Sequence, residues 1–441
     1  MKKTVYLPHI IALALLLPGQ AFSQVIALDQ GENIDEKRNG WLPYAFSTDS
    51  LDTAIGIGGF SAGTFQPQAS IFATAFVTAN DSALFSGALS NFRFGEKSRF
   101  FFDTYLQVNR FTDQRFYAGP SLPGDARPGS NDSDEDAYVT GSSDEFTAEI
   151  NFKYRLPWGS LKDDPLAVYT VNQGLLESGP KAGSSWNPLT GGQTTIGTKL
   201  FYTYRDLSDI EVNQIPDESG EKFAQAKTNG IDFWVEHDNT DFPRNPSTGS
   251  RQVLNVYRDF GWLDSTNSWT SVDLDLSKYI NLGTSSWFRQ QVVALNYWTS
   301  YNPNWNVNAD GTVDHNPPPG KGPELGGFDR LRGFATNRFN DKAAVHYTAE
   351  LRLIPQTQPL RNLPILNYFK IDWWQIVPFV EAGRVAPDYD TNLYFKDLKW
   401  NAGIGIRLMT FRNVVRLDFA YGDEGGSVYA MVAQPFSRMG T

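Results

Sequence analysis

The sequence predicts an all-β protein, a 16-stranded antiparallel transmembrane β-barrel with a long extracellular loop folded into its lumen. Sixteen segments between Thr53 and Phe436 alternate apolar and polar residues with a period of two. Aromatic residues gather at the ends of many of these segments, as they do at membrane interfaces. After the first 23 residues, no apolar run has the length of a membrane-spanning helix. Together these observations favour a barrel.

The N-terminus predicts export. Lys2 and Lys3 precede an apolar core, Ile10–Leu17, and Ala21-Phe22-Ser23 forms a small-x-small cleavage site. Residues 1–23 are therefore expected to be a signal peptide for Sec-dependent export, cut before Gln24. The chain has no cysteine, so a lipid-anchored N-terminus is not expected. This pattern predicts an integral protein in the outer membrane of a Gram-negative bacterium.

Domain boundaries follow from the strand pattern. Residues 24–52 are predicted to be a short periplasmic segment, residues 53–436 the barrel and residues 437–441 a C-terminal tail. The sixth predicted strand is Leu166–Gly179. The connection Pro120–Asp144 conflicts with this count, because strand parity makes it a short periplasmic turn although it is long and acidic. Either the next strand begins earlier, near Asp136, or the strand count is shifted there.

A soluble all-β protein is the competing interpretation. The mean hydropathy is −0.38, which is typical of soluble chains. Membrane barrels have the same property because polar residues that face the lumen alternate with apolar residues that face lipid. An even number of strands, which closes with both termini in the periplasm, favours the barrel. The net charge of −11 argues against nucleic acid as a partner.

One loop carries most of the functional signal. Gly322–Asn340 reads GPELGGFDRLRGFATNRFN, so glycines and arginines separate its apolar residues. Gly326 and Gly327 permit tight backbone folding, which would let the loop bury its apolar residues and present Arg332 to the barrel wall. A planar, permanently charged guanidinium suits a carboxylate partner. Glu381 is the expected partner and Glu350 the second choice.

Three motifs resemble the BamA/TamA family of bacterial surface antigens. Leu325–Phe334 (LGGFDRLRGF) resembles the family's sixth extracellular loop, Asp238–Gly249 its periplasmic turn, and Phe379–Gly383 (FVEAG) its thirteenth strand. The resemblance covers the mature chain but lacks the POTRA domains, since residues 24–52 are too short for one. It implies the subgroup without POTRA domains and a lock between loop and wall formed by Arg332, Gly333, Phe334, Gly326, Gly327, Asp329, Glu381 and Glu350.

Two further sets of residues are predicted to be structural. In the periplasmic turn, Asp238 and Asp241 are expected to cap backbone amides. Pro243, Pro246 and Gly249 are expected to fix that turn, and a catalytic carboxylate pair there is disfavoured because no cleft is implied.

The closing strand is expected to run to Phe436, with Tyr429, Val432 and Phe436 forming an amphipathic segment that ends on an aromatic residue. Such a segment resembles the assembly signal of outer-membrane barrels.

Two classes of function remain open. The barrel either assists insertion or translocation of protein or lipid, with the docked loop as a gate, or is a passive narrow pore, surface antigen or structural barrel. A lipid hydrolase is a minor alternative, because Gly59–Gly63 matches G-x-S-x-G but a strand follows instead of a helix. No catalytic residue, cofactor or metal is expected, since Asp132–Asp136 fits a calcium loop only superficially. The expected partners are outer-membrane lipids, lipopolysaccharide and an unidentified periplasmic or membrane protein, with no nucleic acid.

Overall fold

A computed structural model confirms the all-β antiparallel class. It describes residues 25–29, 32, 37–48, 52–118, 125–180, 182, 187–213, 226–308, 313–318, 320–362, 369–432 and 434–436. One antiparallel sheet contains sixteen strands, and each of them is hydrogen-bonded to the next of the sixteen along the chain. Three small sheets accompany it. In the part of the chain that the structure describes, no helix is long and apolar enough to cross a membrane.

The large sheet is built from the following strands in order. Its first eight strands are β2 (Arg38–Thr48), β3 (Asp52–Ala62), β4 (Ser70–Thr78), β5 (Ala83–Arg93), β6 (Phe100–Phe116), β7 (Tyr138–Arg155), β10 (Gln193–Asn213) and β11 (Ala226–Asp238). Its last eight are β12 (Gly249–Asp259), β13 (Trp269–Gly283), β14 (Phe288–Tyr301), β19 (Ala343–Pro355), β20 (Ile371–Ala386), β21 (Lys399–Thr410), β22 (Asn413–Gly422) and β23 (Gly425–Val432).

The remaining elements lie in the connections. A three-stranded sheet, here called the inner sheet, contains β1 (Val25–Asp29), β8 (Ala167–Asn172) and β9 (Leu175–Ser178). The connection between β14 and β19 carries two hairpins, β15 (Asn306–Val307) with β16 (Val313–Asp314) and β17 (Glu324–Leu325) with β18 (Phe339–Asn340). Among the described residues, the helices are two 3-10 turns, Gly159–Leu161 and Pro359–Asn362, and one short α-helix, α1 (Thr391–Phe395).

Side-chain exposure in the large sheet is the reverse of that in a soluble protein. Along β7, Ile150 and Phe152 are 42% and 43% exposed, whereas Lys153 and Arg155 are only 8% and 4% exposed. Outward apolar residues suit a hydrocarbon environment, and inward charges require a polar, enclosed interior. This pattern excludes a soluble sandwich, which would direct its charged face outward. The outward face is the membrane-contacting surface.

No ladder joins the two margins of the sheet, β2 and β23, among the described residues. At one end, Phe60 of β3 lies with its ring centroid 5.7 Å from that of Phe411, which lies between β21 and β22. The sheet is therefore curled into a barrel shape, and we call the unpaired gap between β2 and β23 the seam. We call the end of the barrel near Phe411 the inner end and the opposite end, where β14 leads into β19, the outer end.

The strand inventory differs from the sequence prediction at two places. Arg38–Thr48, predicted as part of an irregular lead-in, is the first strand of the large sheet. Leu166–Gly179, predicted as the sixth barrel strand, instead forms β8 and β9 of the inner sheet. The two differences cancel in the count, so the number of strands in the large sheet equals the predicted sixteen. The barrel boundary at residue 53 is therefore wrong.

This correction resolves the conflict at Pro120–Asp144. With β2 counted, the connection between β6 and β7 joins an odd strand to an even one and lies at the outer end. Tyr138 begins β7, close to the earlier start at Asp136 that the sequence left open. Described residues of this connection contact the loop between β14 and β19: the Asn340 side-chain amide donates to the Tyr117 carbonyl oxygen at 2.7 Å. The long acidic segment is an outer loop, as its length suggests.

The inner sheet fills part of the inner end. Its strands pack with inward residues of the barrel wall into one buried apolar cluster: Ala27, Leu161, Ala167, Tyr169, Val171, Phe242, Ile354, Trp373, Met409 and Val414. Trp373 and Ile354 are fully buried although they lie near the inner ends of barrel strands. The inner mouth thus contains a packed apolar cluster.

Candidate functional site: the docked loop 6

Residues 302–342, here called loop 6, connect β14 to β19 at the outer end. The β17–β18 hairpin carries a turn of residues 326–338. Gly326 and Gly327 have φ values of +107° and +103°, a region open to glycine but strained for other residues. A Cβ at Gly326 would lie 2.2 Å from the Ala335 carbonyl oxygen. These glycines allow the turn to fold compactly on itself.

Loop 6 has its own apolar core inside the barrel. Leu331, Phe334 and Phe339 are at most 1% exposed, and they cluster with wall residues such as Trp298 and Val385. The rings of Phe334 and Phe339 meet edge to face, with centroids 5.2 Å apart. Burial of apolar surface therefore contributes to the docking of the loop, apart from its charged groups.

Arg332 lies at the centre of the docked loop, and its side chain is 1% exposed. Its Nε donates to Glu381 Oε1 at 3.0 Å, and its backbone N–H donates to Glu381 Oε2 at 2.7 Å. Its Nη1 donates to Asp418 Oδ2 at 2.8 Å and its Nη2 to Glu350 Oε1 at 3.1 Å. The guanidinium also lies 3.6 Å from the ring centroid of Phe379. One side chain thus joins loop 6 to β19, β20 and β22.

The carboxylates that bind Arg332 are shared with other arginines of the wall. Glu350 also accepts hydrogen bonds from Arg352 and Arg407, at 2.9 and 2.7 Å. Asp418 accepts a further bond from Arg416 at 2.8 Å, and the Asp329 carboxylate lies 3.8 Å from Arg416. A hydrogen-bonded set of opposite charges lowers the cost of burying them inside the barrel.

The structure brings both expected partners, Glu381 and Glu350, to Arg332. Asp418 and the arginines of the wall are additional members that sequence reasoning missed. The sequence does contain a signal for Asp418, which stands in mid-strand between the outward residues Leu417 and Phe419.

The neighbouring lock residues are also in contact. A Cβ at Gly333 would lie 2.6 Å from the Asn401 Cβ, so the loop backbone touches the wall there.

Loop 6 also reaches the opposite wall. Lys321 Nζ lies 3.5 Å from Glu149 Oε1 on β7 and 5.1 Å from the ring centroid of Phe201 on β10. Since Arg332 contacts β19, β20 and β22, these contacts extend across the lumen. The described part of loop 6 therefore obstructs the outer half of the barrel.

A second outer loop holds loop 6 in place. Arg338 donates to the Ser133 hydroxyl at 2.8 Å and to the Ser133 carbonyl oxygen at 2.7 Å, and it pairs with Glu424 at 2.7 Å. Arg127 lies over the ring of Trp305 and within 3.7 Å of the Asp341 carboxylate. Burial raises the pKa of Asp341, while Arg127 acts in the opposite direction. The connection between β6 and β7 thus covers loop 6 from outside.

The predicted periplasmic turn lies at the inner end, between β11 and β12. Asp238 Oδ1 accepts from the Thr240 N–H at 2.9 Å, and Asp241 Oδ1 accepts from the Ser247 N–H at 2.8 Å. Gly249 has φ +99°, and a Cβ there would lie 2.1 Å from the Asn239 carbonyl oxygen. Phe242, beside Pro243, is 1% exposed within the cluster of the inner sheet. The turn therefore supports the inner sheet, and Pro246 is buried within it.

The closing strand differs from its prediction. β23 ends at Val432, and the chain then turns into the lumen. The Phe436 ring packs against the inward cluster of Tyr279, Val292 and Ala294, and its carbonyl oxygen accepts from Arg251 at 2.9 Å. Phe436 is therefore not the outward aromatic end of the last strand. Tyr429, by contrast, faces loop 6 and donates to the Phe334 carbonyl oxygen at 3.2 Å.

The minor hydrolase alternative gains no support from geometry. The Ser61 hydroxyl donates to Asn39 Oδ1 at 2.6 Å and also contacts Thr64. His237 bonds to Thr194, and His346 accepts from the Leu331 N–H at 3.2 Å, so neither imidazole serves as a base for Ser61. Among the described residues, no group of three or more His, Asp or Glu side chains could hold a metal ion.

Comparisons with known proteins agree with this architecture. A model of the Omp85 superfamily domain matches residues 110–428. The structure of CdiB from Escherichia coli aligns with a TM-score of 0.53 at 10% identity, covering 90% of this chain and 62% of that one. BamA from Haemophilus ducreyi lacking POTRA domains 1–3 aligns with a TM-score of 0.48 at 13% identity, covering 91% and 70%.

CdiB from Acinetobacter baumannii aligns with a TM-score of 0.49 at 12% identity, covering 90% of this chain and 59% of that one. The chain thus spans about 60% of the length of the two CdiB structures. A search of curated protein sequences finds no match. Because the family model matches well over half of the sequence, the chain belongs to the Omp85 superfamily and is a Gram-negative outer-membrane barrel.

Proposed function

We propose that this barrel assists insertion or translocation of protein at the outer membrane, with loop 6 as the gate of its lumen. The observation that carries the proposal is the docking of Arg332 on three carboxylates of three different wall strands. A loop held in this way closes the lumen yet remains a separate element that can move. Export by the Sec route, contact with lipopolysaccharide and a separate periplasmic recruiter are parts of the same proposal.

The seam supports the proposal. No ladder joins β2 to β23 among the described residues, and β23 is shorter than β2. Unpaired backbone groups in hydrocarbon cost several kcal/mol each. Such a margin is therefore a favourable place for a strand of another polypeptide to pair. A passive pore would not need this feature.

A reconstitution experiment tests the proposal. Proteoliposomes containing the protein receive a urea-unfolded outer-membrane barrel, and its folded, heat-modifiable fraction is followed with time. We expect the protein to raise the folding rate several-fold, and Arg332→Ala to remove most of that gain. Arg258→Ala serves as the control, because Arg258 donates to Thr270 on the outward side of β12. Equal folding rates with and without the protein would contradict the proposal.

Electrical recordings address the passive alternative. The intact protein is expected to show small, flickering currents in planar bilayers, because loop 6 obstructs the lumen. A large, steady conductance in the intact protein would instead support a narrow pore.

A further inference from the structure

We propose that β8 is a docking strand for an extended polypeptide segment at the inner mouth of the barrel, and that β1 is an intramolecular occupant that competes for it. The inference deepens the proposed function and rests on it only in taking the ligand to be a polypeptide. It concerns the inner sheet, which the docking of loop 6 leaves unexplained.

The pairing of β1 with β8 is made by the backbone. The two strands run parallel in register, from Val25 opposite Ala167 to Asp29 opposite Val171. Main-chain hydrogen bonds of this kind supply affinity with little regard to side-chain identity. Any extended segment that fits the space could form the same ladder. The structure shows such a segment in place, five residues long.

Side chains restrict which segment fits. Ala27 is completely buried against the cluster of the inner sheet, in which Tyr169 and Phe242 lie with ring centroids 5.3 Å apart. Ile26, beside it, is 2% exposed. The position of Ala27 therefore accepts a small residue and excludes a large or charged one. The expected ligand is an extended, apolar segment with a small residue at its centre.

The location of β1 connects the site to both sides of the large sheet. The Ala27 carbonyl oxygen accepts from Arg38 Nη1 at 2.9 Å and from Arg412 Nη1 at 2.8 Å. Arg38 begins the first strand of the barrel, and Arg412 lies between β21 and β22 near the last strand. Arg412 also pairs with Glu32, which follows β1. A segment on β8 is therefore held between the two sides of the seam.

This arrangement places a bound segment where a polypeptide would have to lie to reach the seam from the inner side. No ladder connects the inner sheet to the large sheet in the described ranges. β1 is held by one neighbouring strand and by side chains, so its replacement does not require any barrel strand to unpair. Because β1 is tethered, its effective concentration is on the order of millimolar, and free segments bind weakly while it is present.

A substitution that weakens the pairing of β1 with β8 should make β8 available to a free peptide. We would measure binding of a fluorescein-labelled peptide with the sequence of residues 24–30 to the full-length protein in detergent micelles, by fluorescence anisotropy. Ala27→Glu introduces a charge at a buried position, so β1 should leave β8. We expect this variant to bind the peptide at least tenfold more tightly than the wild type. The same peptide with glutamate at the alanine position should not bind.

A covalent lock provides the complementary test. The chain has no cysteine, so Leu28→Cys with Thr170→Cys can form a single disulfide between paired positions of β1 and β8. At millimolar peptide, oxidation should abolish binding and reduction should restore it. Thr170→Cys with Ser178→Cys is the matched control, because it carries the same Thr170 substitution but joins β8 to β9 and does not tie β1 to β8.

The two experiments distinguish failure of the docking strand from failure of the proposed function. Equal peptide binding by the oxidised lock and its control would overturn the proposal, as would a heat-modifiable Ala27→Glu protein without any gain in binding. If Ala27→Glu does not fold, the comparison of the oxidised disulfide lock with its control tests the proposal by itself. Peptide binding as expected, together with no effect in the proteoliposome assay, would leave the docking strand in place and reject the proposed function. Absence of the expected peptide binding, together with faster folding in the proteoliposome assay, would reject the docking strand and leave the proposed function in place.

Discussion

Arg332 shows how much one residue can contribute to the position of a loop. It is buried, it donates to three carboxylates, and its backbone N–H binds one of them as well. The planar guanidinium presents five donors in a rigid fork, whereas an ammonium group presents three donors on a flexible stem. Loop 6 is therefore fixed in both position and orientation.

Removing this guanidinium should release the loop. Breaking a buried ion pair by deleting one partner costs about 3–5 kcal/mol, and Arg332→Ala leaves three carboxylates with fewer cations. We expect tryptic cleavage within loop 6 and reduced heat-modifiability of the barrel, with the Arg258→Ala control unchanged. Arg332→Lys should restore only part of the protection. A wild-type cleavage pattern in Arg332→Ala would contradict the docking described here.

A second residue makes loop 6 sensitive to pH. Burial raises the pKa of Glu324 to about 8, although the Gly320 N–H and the cations Arg205 and Lys321 act in the opposite direction. The docked state thus holds the proton more tightly than the undocked chain. Its stabilisation is complete below the ordinary pKa of glutamate and is lost as the pH rises through about 8.

We therefore expect wild-type loop 6 to become easier to cleave on going from about pH 6 to about pH 9. Glu324→Gln, which cannot ionise, should not change in this way. The ratio of the two cleavage rates at each pH removes the pH dependence of the protease itself. A ratio that stays constant across this range would refute a role for Glu324.

At the scale of elements, the fit between loop 6 and the wall depends on close backbone approach. A Cβ at Gly333 would meet the Asn401 Cβ at 2.6 Å and the Gly422 nitrogen at 3.0 Å. Gly333→Ala should therefore lift the loop tip from β21 and β22 while leaving Arg332 in the chain.

The expected cost is about 1–3 kcal/mol, typical of overpacking, and tryptic digestion would detect it as partial loss of protection. Gly87→Ala is a suitable control, because the nearest atom to a Cβ there is 3.6 Å away. Full protection in Gly333→Ala would show that the loop tip has more room than these distances imply.

The elements that sequence reasoning placed correctly are those with long, uninterrupted alternation, such as β7 and β19. It missed β2 because Pro43 interrupts the run, and proline usually argues against a strand. Here β2 is an edge strand of the sheet, where the missing backbone N–H of a proline costs little. It accepted Leu166–Gly179 because the alternation continues through a tight turn at Gln173 and Gly174, both with positive φ. Periodicity alone does not reveal such a turn.

Part of the candidate site was also predictable from sequence patterns. The loop motif and the parity of β20 and β19 point to Arg332, Glu381 and Glu350. The remaining partners depend on how the sheet curls, since Asp418 and Arg416 are more than 80 residues from Arg332 and reach it only in three dimensions. Phe436 was misplaced because the inward turn after Val432 has no counterpart in the alternation.

At the scale of the whole molecule, the strand count depends on β2. Backbone groups that lose their partners in lipid cost several kcal/mol each, and β2 pairs with β3 along its whole length. Removing residues 38–48 would leave fifteen strands in the large sheet and deprive β3 of all these partners. We expect this deletion to abolish the heat-modifiable form, measured by semi-native electrophoresis after folding into liposomes.

Removing residues 25–29 provides the contrast. That deletion takes away β1 but leaves all sixteen strands of the large sheet, so the heat-modifiable form should persist. If both deletions behaved alike, either β2 would be dispensable or β1 would be essential to the barrel itself.

The carbonyl group of Ala27 has a consequence for biogenesis. Its two arginine donors stand 11 and 385 positions away along the chain. The two donors come from opposite ends of the barrel sequence. A chain truncated before Arg412 would therefore keep only the nearer of the two hydrogen bonds at the inner end.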